Sequence, residues 1–409
     1  MPRPNGNPKL RAARLAAGYN SQQDLIDALA RRGIVVGRRQ VGRWEAANPP
    51  LPYPDVRQAL VELLGRSLAE LGFDVPPSNE PGRTSPVSFL PPADRGPLRT
   101  PNAPQPPSTA ADFLAVTRAH RRLYWTIAPA TLHPAVSAHA TLGGQLLEAT
   151  AGRTREVLAA ALAESWLLAG RMEFFDLREP DRAGDTWVRA LQAAGEAGDT
   201  LLGSAVLAHM AFIPGWSGNQ ADAADRMVAA RTYARRGPAS AGFLAWLDAV
   251  EAECETRCGN VRAGLNLIRH GEDVLAAGGE HESPEWMDWF SPVRLQAFKG
   301  HTQLTAGHLP QARETLTRVL EELPADADKQ RTVVLGDLAA VEAAAGKPER
   351  AAQYAVRALE LLETHWYATG LERVREVRRT LVPWQHEQYV RDLDDRLYGW
   401  GAVVSSLAN

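Results

Sequence analysis

A glycine followed five residues later by a second small residue recurs four times in this chain: Gly218/Ala223, Gly259/Gly264, Gly307/Ala312 and Gly346/Ala351. In each copy the positions four and seven beyond the second small residue are again apolar or small: Met227/Ala230, Ile268/Gly271, Leu316/Val319 and Ala355/Ala358. A degenerate earlier copy carries Ala183, Trp187 and Ala190, and the second small positions then lie 40, 41, 48 and 39 residues apart. Self-similarity at such a period means one supersecondary unit repeated. The spacing within each copy is helical. Two antiparallel helices need small residues where their backbones cross closely, and glycine lets the chain reverse between them. One hairpin cannot bury its apolar face alone, so hairpins stack into a solenoid. From Ala110 onward the sequence reads as helix throughout.

A second, smaller helical region precedes the repeats. Leu10 to Ala17 is apolar-periodic and stops at Gly18; Ser21 is a natural N-cap for a helix from Gln22 to Arg32, which Gly33 ends. Arg38 to Ala47 forms a third segment after Gly37, and Asp55 to Leu64 a fourth; Leu68 to Phe73 suits a last turn. Between the regions, 11 of the 34 residues from Asp74 to Pro107 are proline. Proline fixes φ and removes a donor, so this segment is expected to be an extended linker. The fold class expected is all-α: a small helix-turn-helix domain over 1–73, a linker over 74–107, and an α-solenoid of helical hairpins over 108–409.

Charge separates the two regions. Residues 1–73 carry 11 Lys and Arg against 6 Asp and Glu, a balance of +5; the remainder carries 34 against 42, a balance of −8. A basic lobe on an acidic protein is the footprint expected where one end meets phosphate. The third segment has the chemistry for it. A helix entering the major groove needs donor-rich residues outside and apolar residues inside. Arg38, Arg39, Gln40 and Arg43 are available outside, and Val41 and Trp44 can face in. Arginine donates twice to guanine and glutamine pairs twice with adenine. Arg39, Gln40 and Arg43 are therefore the expected base readers, and Arg38 a phosphate contact.

The segment with Ser21, Gln22, Val41, Trp44 and Glu45 resembles the phage-repressor-like helix-turn-helix family, also called the xenobiotic-response-element family. One departure is the 25 residues from Ser21 to Glu45, about five more than a compact member uses, so the turn is expected to be longer. The resemblance implies that Gln22 binds phosphate, with Gln23 a weaker companion, and that Glu45 pairs structurally with Arg14. The copy with Gly300, Gly307, Ala312, Leu316, Val319 and Pro324 resembles the tetratricopeptide repeat, with a period near 40 in place of 34. The whole chain is similar to actinobacterial regulators that join these two parts.

In tetratricopeptide domains the first helix of each hairpin lines the concave groove. Carried over with the turn glycines as register, this places Phe212, Trp216, Trp246, Glu253, Arg257, Arg294 and His301 along the groove, with Met172 and Phe175 from the degenerate copy. Aromatic walls with two arginines and one glutamate suit an extended peptide or a small ligand carrying a carboxylate. The expected function is a sequence-specific transcription regulator, a homodimer on a two-half-site double-stranded DNA operator, with a peptide or small-molecule effector. The alternative is an interaction scaffold whose helix-turn-helix module docks a protein.

Other features exclude rival classes. Cys254 and Cys258, four residues apart on one helix, read as two buried thiols and not as a disulfide framework or half a metal site. His281, Glu282, Glu285 and Asp288 match no metal spacing and read as a solvated loop leading into an aromatic wedge. No nucleotide-binding, metalloprotease or serine-hydrolase motif is present, so no enzyme, metal or cofactor is expected. No signal peptide or membrane-length apolar run is seen, so the expected location is the cytoplasm.

Overall fold

The structure is a computed structural model that describes residues 7–32, 34, 36–46, 49, 52, 54–68, 70–73 and 105–407. The chain divides into two units, residues 1–97 and 98–409. Both are all-helical among the described residues. No helix among them is long and apolar enough to cross a membrane.

The first unit holds α1 (Pro8–Ala16), α2 (Gln22–Ala30), α3 (Arg38–Trp44) and α4 (Pro54–Leu64). Side chains close the exposed ends of these short helices. Asn7 Oδ1 accepts from Leu10 N at the start of α1, and its amide nitrogen donates to the carbonyls of Trp44 and Leu71. Ser21 and Asp24 form a reciprocal capping box on α2. Leu10, Leu25, Leu29, Val41, Trp44, Leu60, Leu71 and Phe73 make the buried centre. The connection expected to be longer is longer: α2 ends at Ala30 and α3 begins at Arg38, with Gly33 and Val35 between them outside the described residues. α3 ends at Trp44, earlier than the pattern predicts, and Ala47 is outside the described residues. So are residues 74–104, most of the expected linker.

The second unit opens with α5 (Pro107–Leu123). Pro107 sits at a helix start, where its missing N–H costs nothing. After α6 (Pro129–Glu148) come five hairpins. They pair α7 (Gly152–Arg171) with α8 (Pro180–Ala197), α9 (Thr200–Trp216) with α10 (Gln220–Ala234), and α11 (Ala241–Arg257) with α12 (Val261–Ala277). Two more pair α13 (Pro292–Thr305) with α14 (Leu309–Glu322) and α15 (Asp328–Ala344) with α16 (Pro348–Leu362). α17 (Ala368–Thr380) and α18 (Gln388–Leu407) complete the unit. The first helices form an inner layer: α9 packs on α11, α11 on α13, α13 on α15 and α15 on α17.

The repeat positions do what their sizes dictate. Gly218, Gly259, Gly307 and Gly346 take φ of 81°, 89°, 76° and 68°, the left-handed region that other residues avoid. In the degenerate copy that position falls on Arg178, which adopts φ 61°. Just before it, residues Met172–Asp176 form a π-helical turn, with Leu177 N donating to Met172 O. Ala183, Trp187 and Ala190 are fully buried beneath it. Cys254 is buried against Gly215, whereas Cys258 is only half-buried, because it lies at the end of α11.

A Cβ built on Gly300 would lie 2.5 Å from Cγ and Cδ2 of the fully buried Leu316. Alanine normally stabilises a helix interior by about 1 kcal/mol over glycine. Here Gly300→Ala is expected to destabilise the repeat unit by about 1–3 kcal/mol through overpacking. Thermal unfolding checks the sign, and the double variant with Leu316→Ala should lose less than the sum of the two single losses.

The solenoid turns far enough for its end to reach its beginning. Trp366 Nε1 donates to Asp176 O at 3.2 Å, and Thr369 Oγ1 to Phe175 O at 3.0 Å. Arg178 Nε lies 2.7 Å from Glu372 Oε1. All three contacts meet the π-helical turn and the strained Arg178.

Candidate functional site

Two places carry the expected chemistry, one in each unit. In the first, α3 is held by its inward face. Val41 and Trp44 are buried, and Glu45, just beyond the helix, accepts from Arg14 Nε at 2.8 Å and from Gln22 Nε2 at 2.7 Å. Arg14 also donates to Tyr19 O. The Arg14–Glu45 pair is as expected. Gln22 is half-buried and spends one amide N–H on Glu45, so its second N–H and its carbonyl oxygen are left over. Gln23 donates to Asp27 at 2.9 Å. Arg38, Arg39 and Arg43 are exposed and Gln40 half-buried. None of these four side chains has an ion pair or hydrogen bond among the described residues. The turn of a held helix thus presents three uncommitted guanidinium groups on one basic surface.

The second place is a pocket inside the solenoid, about 920 Å³ including its open mouth. Phe175, Phe212, Trp216, Trp246, Glu253, Arg294 and His301 all line it, as the repeat register expected. Arg257 does not. It stands behind the wall, where its guanidinium carbon lies 3.9 Å from the Trp216 ring centre and Nε is 2.6 Å from Glu253. Met172 is also displaced: it is fully buried in a separate cluster. The π-helical turn is the cause. Its wider hydrogen bonding takes up one extra residue, so residues before it slip by one position. Arg171 therefore occupies the place that Phe212, Glu253 and His301 hold in later hairpins, and it faces the pocket.

Sequence reasoning missed several lining residues. Trp246 and Arg294 each lie thirteen positions before their turn glycine; Val333 stands at the same place in the α15–α16 hairpin. His209 and Phe298 lie nine before theirs, as does Asp337. Extending the register to Gly346 finds both. Lys329, Arg373 and Tyr367 come from further round the superhelix and carry no such signal. Trp289 comes from the long loop after α12, which Arg118 and Arg121 of α5 anchor through Glu285 and Asp288.

The polar groups sort into two sets. Glu253, Asp337, Arg257, Arg373 and His301 are mutually paired: Asp337 Oδ1 lies 3.3 Å from both His301 Nδ1 and Arg373 Nε, and Arg373 reaches Glu253 at 3.8 Å. Burial alone raises the Glu253 carboxyl, but Arg257, His301 and Arg373 outweigh it and hold it down to about 2. The second set is Asp176, Lys329, Tyr124, Arg171 and Arg294. Lys329 Nζ donates to Asp176 Oδ1 at 2.8 Å and lies 3.8 Å from the Tyr124 ring centre; Tyr124 OH donates to Asp176 Oδ2 at 2.9 Å. Burial pushes Asp176 up and Lys329 down, each opposed by the other's charge. Arg171 lies over the rings of Trp289, at 4.5 Å, and Tyr124, at 5.1 Å. His209 donates through Nδ1 to Ala205 O at 2.8 Å, and burial with Arg171 nearby takes it down to about 3, so it is neutral at physiological pH. His133 meets Glu173 at 2.8 Å, outside this pocket.

No family model matches the chain, and no curated protein matches it. Among solved structures it is similar to the crystal structure of Rap protein complexed with competence and sporulation factor. That match has 10% identity and a TM-score of 0.44, and covers 74% of this chain and 100% of that one.

Proposed function

We propose that this chain is a cytoplasmic, sequence-specific transcription regulator whose helical-repeat unit senses an effector. The observation that carries the reading is α3. Its apolar face is buried, Glu45 fixes its end to α1 and α2, and Arg38, Arg39 and Arg43 stand exposed without partners among the described residues. That division of faces is what a recognition helix needs. Base contacts fall to Arg39, Gln40 and Arg43, phosphate contacts to Arg38, Gln22 and Gln23. The repeat unit dimerises and spaces two such helices over two half-sites. The pocket binds and does not catalyse; effector binding changes the solenoid's curvature, and with it the fit to the operator.

The test is selection of bound fragments from source-genome DNA by the full chain, followed by affinity against salt and by oligomeric state on DNA. A recurrent two-half-site sequence, bound by a dimer and weakening steeply with ionic strength, supports the reading. If nothing is enriched, or binding is flat with salt, the chain is a scaffold whose small unit docks a protein. A monomer at every concentration, free and on DNA, removes the dimer mechanism.

A further inference from the structure

We propose that the pocket's ligand is a small organic anion. Its carboxylate, phosphate or sulfonate head lies between Arg171 and Arg294, and its apolar body lies on Trp216, Trp246 and Trp289. This rests on reading the pocket as the effector site and names the class of effector.

The argument is one of charge left over. The pocket's two acidic side chains, Glu253 and Asp337, are already engaged by Arg257, Arg373 and His301. Lys329 is engaged by Asp176. Arg171 and Arg294 have no ion pair and no side-chain hydrogen bond among the described residues, though Arg171 is only 6% exposed. Each guanidinium lies over aromatic rings instead: Arg171 over Trp289 and Tyr124, Arg294 over Phe298 at 5.6 Å. Burial disfavours the charged form of Arg294; Tyr367, Glu253 and Tyr124 oppose it in part, and the nearby charge of Arg171 adds to it, so the two cations feel one another. A desolvated charge is costly until paired, and a guanidinium binds a planar anion through two parallel hydrogen bonds.

The same bookkeeping excludes other ligands. An ammonium group, such as a peptide's N-terminus, finds no carboxylate that is not already in an ion pair. A neutral ligand leaves both arginines dry and unpaired. The body of the ligand is set by the walls, where Trp246 and Trp289 are in ring contact at 5.8 Å and Trp216 closes the Phe175 side. The indole N–H groups of Trp216 and Trp289 are buried without a hydrogen-bond partner among the described residues.

The experiment uses two fluorescent probes with the same rings, 1-anilinonaphthalene-8-sulfonate and uncharged N-phenyl-1-naphthylamine, titrated into the full chain. The sulfonate is expected to bind one site per chain. Arg171→Gln and Arg294→Gln should each weaken it by roughly tenfold or more, as loss of a charge-assisted contact does. Arg294→Lys should keep part of the affinity. The neutral probe should change by less than about threefold, a few tenths of one pairing. Misfolding cannot imitate this result, because loosened packing raises binding of the sulfonate. If the neutral probe binds as tightly and the arginines make no difference, the pocket remains a ligand site and the anion assignment fails. If neither probe binds at one site, the effector-pocket reading fails with it.

Discussion

Replacing Lys329 by methionine is expected to remove about 3–5 kcal/mol from the stability of the repeat unit, the range seen when one partner of a buried ion pair is lost. Lys329 is 3% exposed and Asp176 1%. Methionine keeps most of the stem's volume, so the loss is electrostatic and not a cavity. What remains is a carboxylate in the interior that accepts from Tyr124 OH. That carboxyl is already raised with the lysine present, by burial, and rises further without it. The sign of the pH dependence follows. A carboxyl with a raised folded-state pKa destabilises the fold when ionised. The deficit should therefore be largest near neutral pH and shrink as pH falls toward the unfolded aspartate value of about 3.9. Asp176→Asn in the same chain removes the charge and should recover most of the loss, since a buried pair is worth little against a neutral replacement. Urea unfolding followed by tryptophan fluorescence reads this unit, because Trp44 is the one tryptophan of the eleven that lies in residues 1–97. A loss below about 1 kcal/mol, the size of a surface pair, would mean that water reaches the pair.

Lys329 also shows where sequence reading stops. The helical hairpins were legible because turn glycines and close-packed small residues are local necessities: Gly259 at φ 89° and Gly300 against Leu316 can hardly be anything else. Groove residues on α9, α11 and α13 followed from the same register. The register failed where hydrogen bonding changed from α to π. Nothing in Met172–Asp176 announces the extra residue, so Met172 was expected in the groove where Arg171 stands. The long-range pairs failed for a different reason. Lys329 and Asp176 are 153 residues apart and Thr369 and Phe175 are 194 apart, and they meet only because the superhelix completes its turn. Curvature accumulates from small rotations at each hairpin, and no single hairpin's sequence states the total. In the small unit the Arg14–Glu45 pair was legible through family resemblance, but Glu45's second bond, to Gln22, was not.

Replacing Arg39 and Arg43 together by alanine is expected to weaken binding to a selected operator by about 2–6 kcal/mol, the sum of about 1–3 for each base-reading arginine if the two act independently. Folding stability should move by no more than about 0.5 kcal/mol, as for surface residues without partners. Both side chains are exposed and make no ion pair or hydrogen bond among the described residues, so a binding loss cannot be charged to unfolding. Salt separates the roles. A base reader's loss should fall on the selected sequence and leave nonspecific affinity nearly intact. A phosphate contact's loss should weaken all sequences alike and lower the salt slope by about 1 for each contact. Arg38→Ala is expected to behave in the second way. If Arg39→Ala/Arg43→Ala weakens every sequence equally, α3 lies along the backbone and specificity comes from elsewhere. If that variant binds DNA as the parent does, the exposed arginines of α3 serve some other partner. The regulator reading then gives way to a scaffold, in which the pocket becomes the place to look for function.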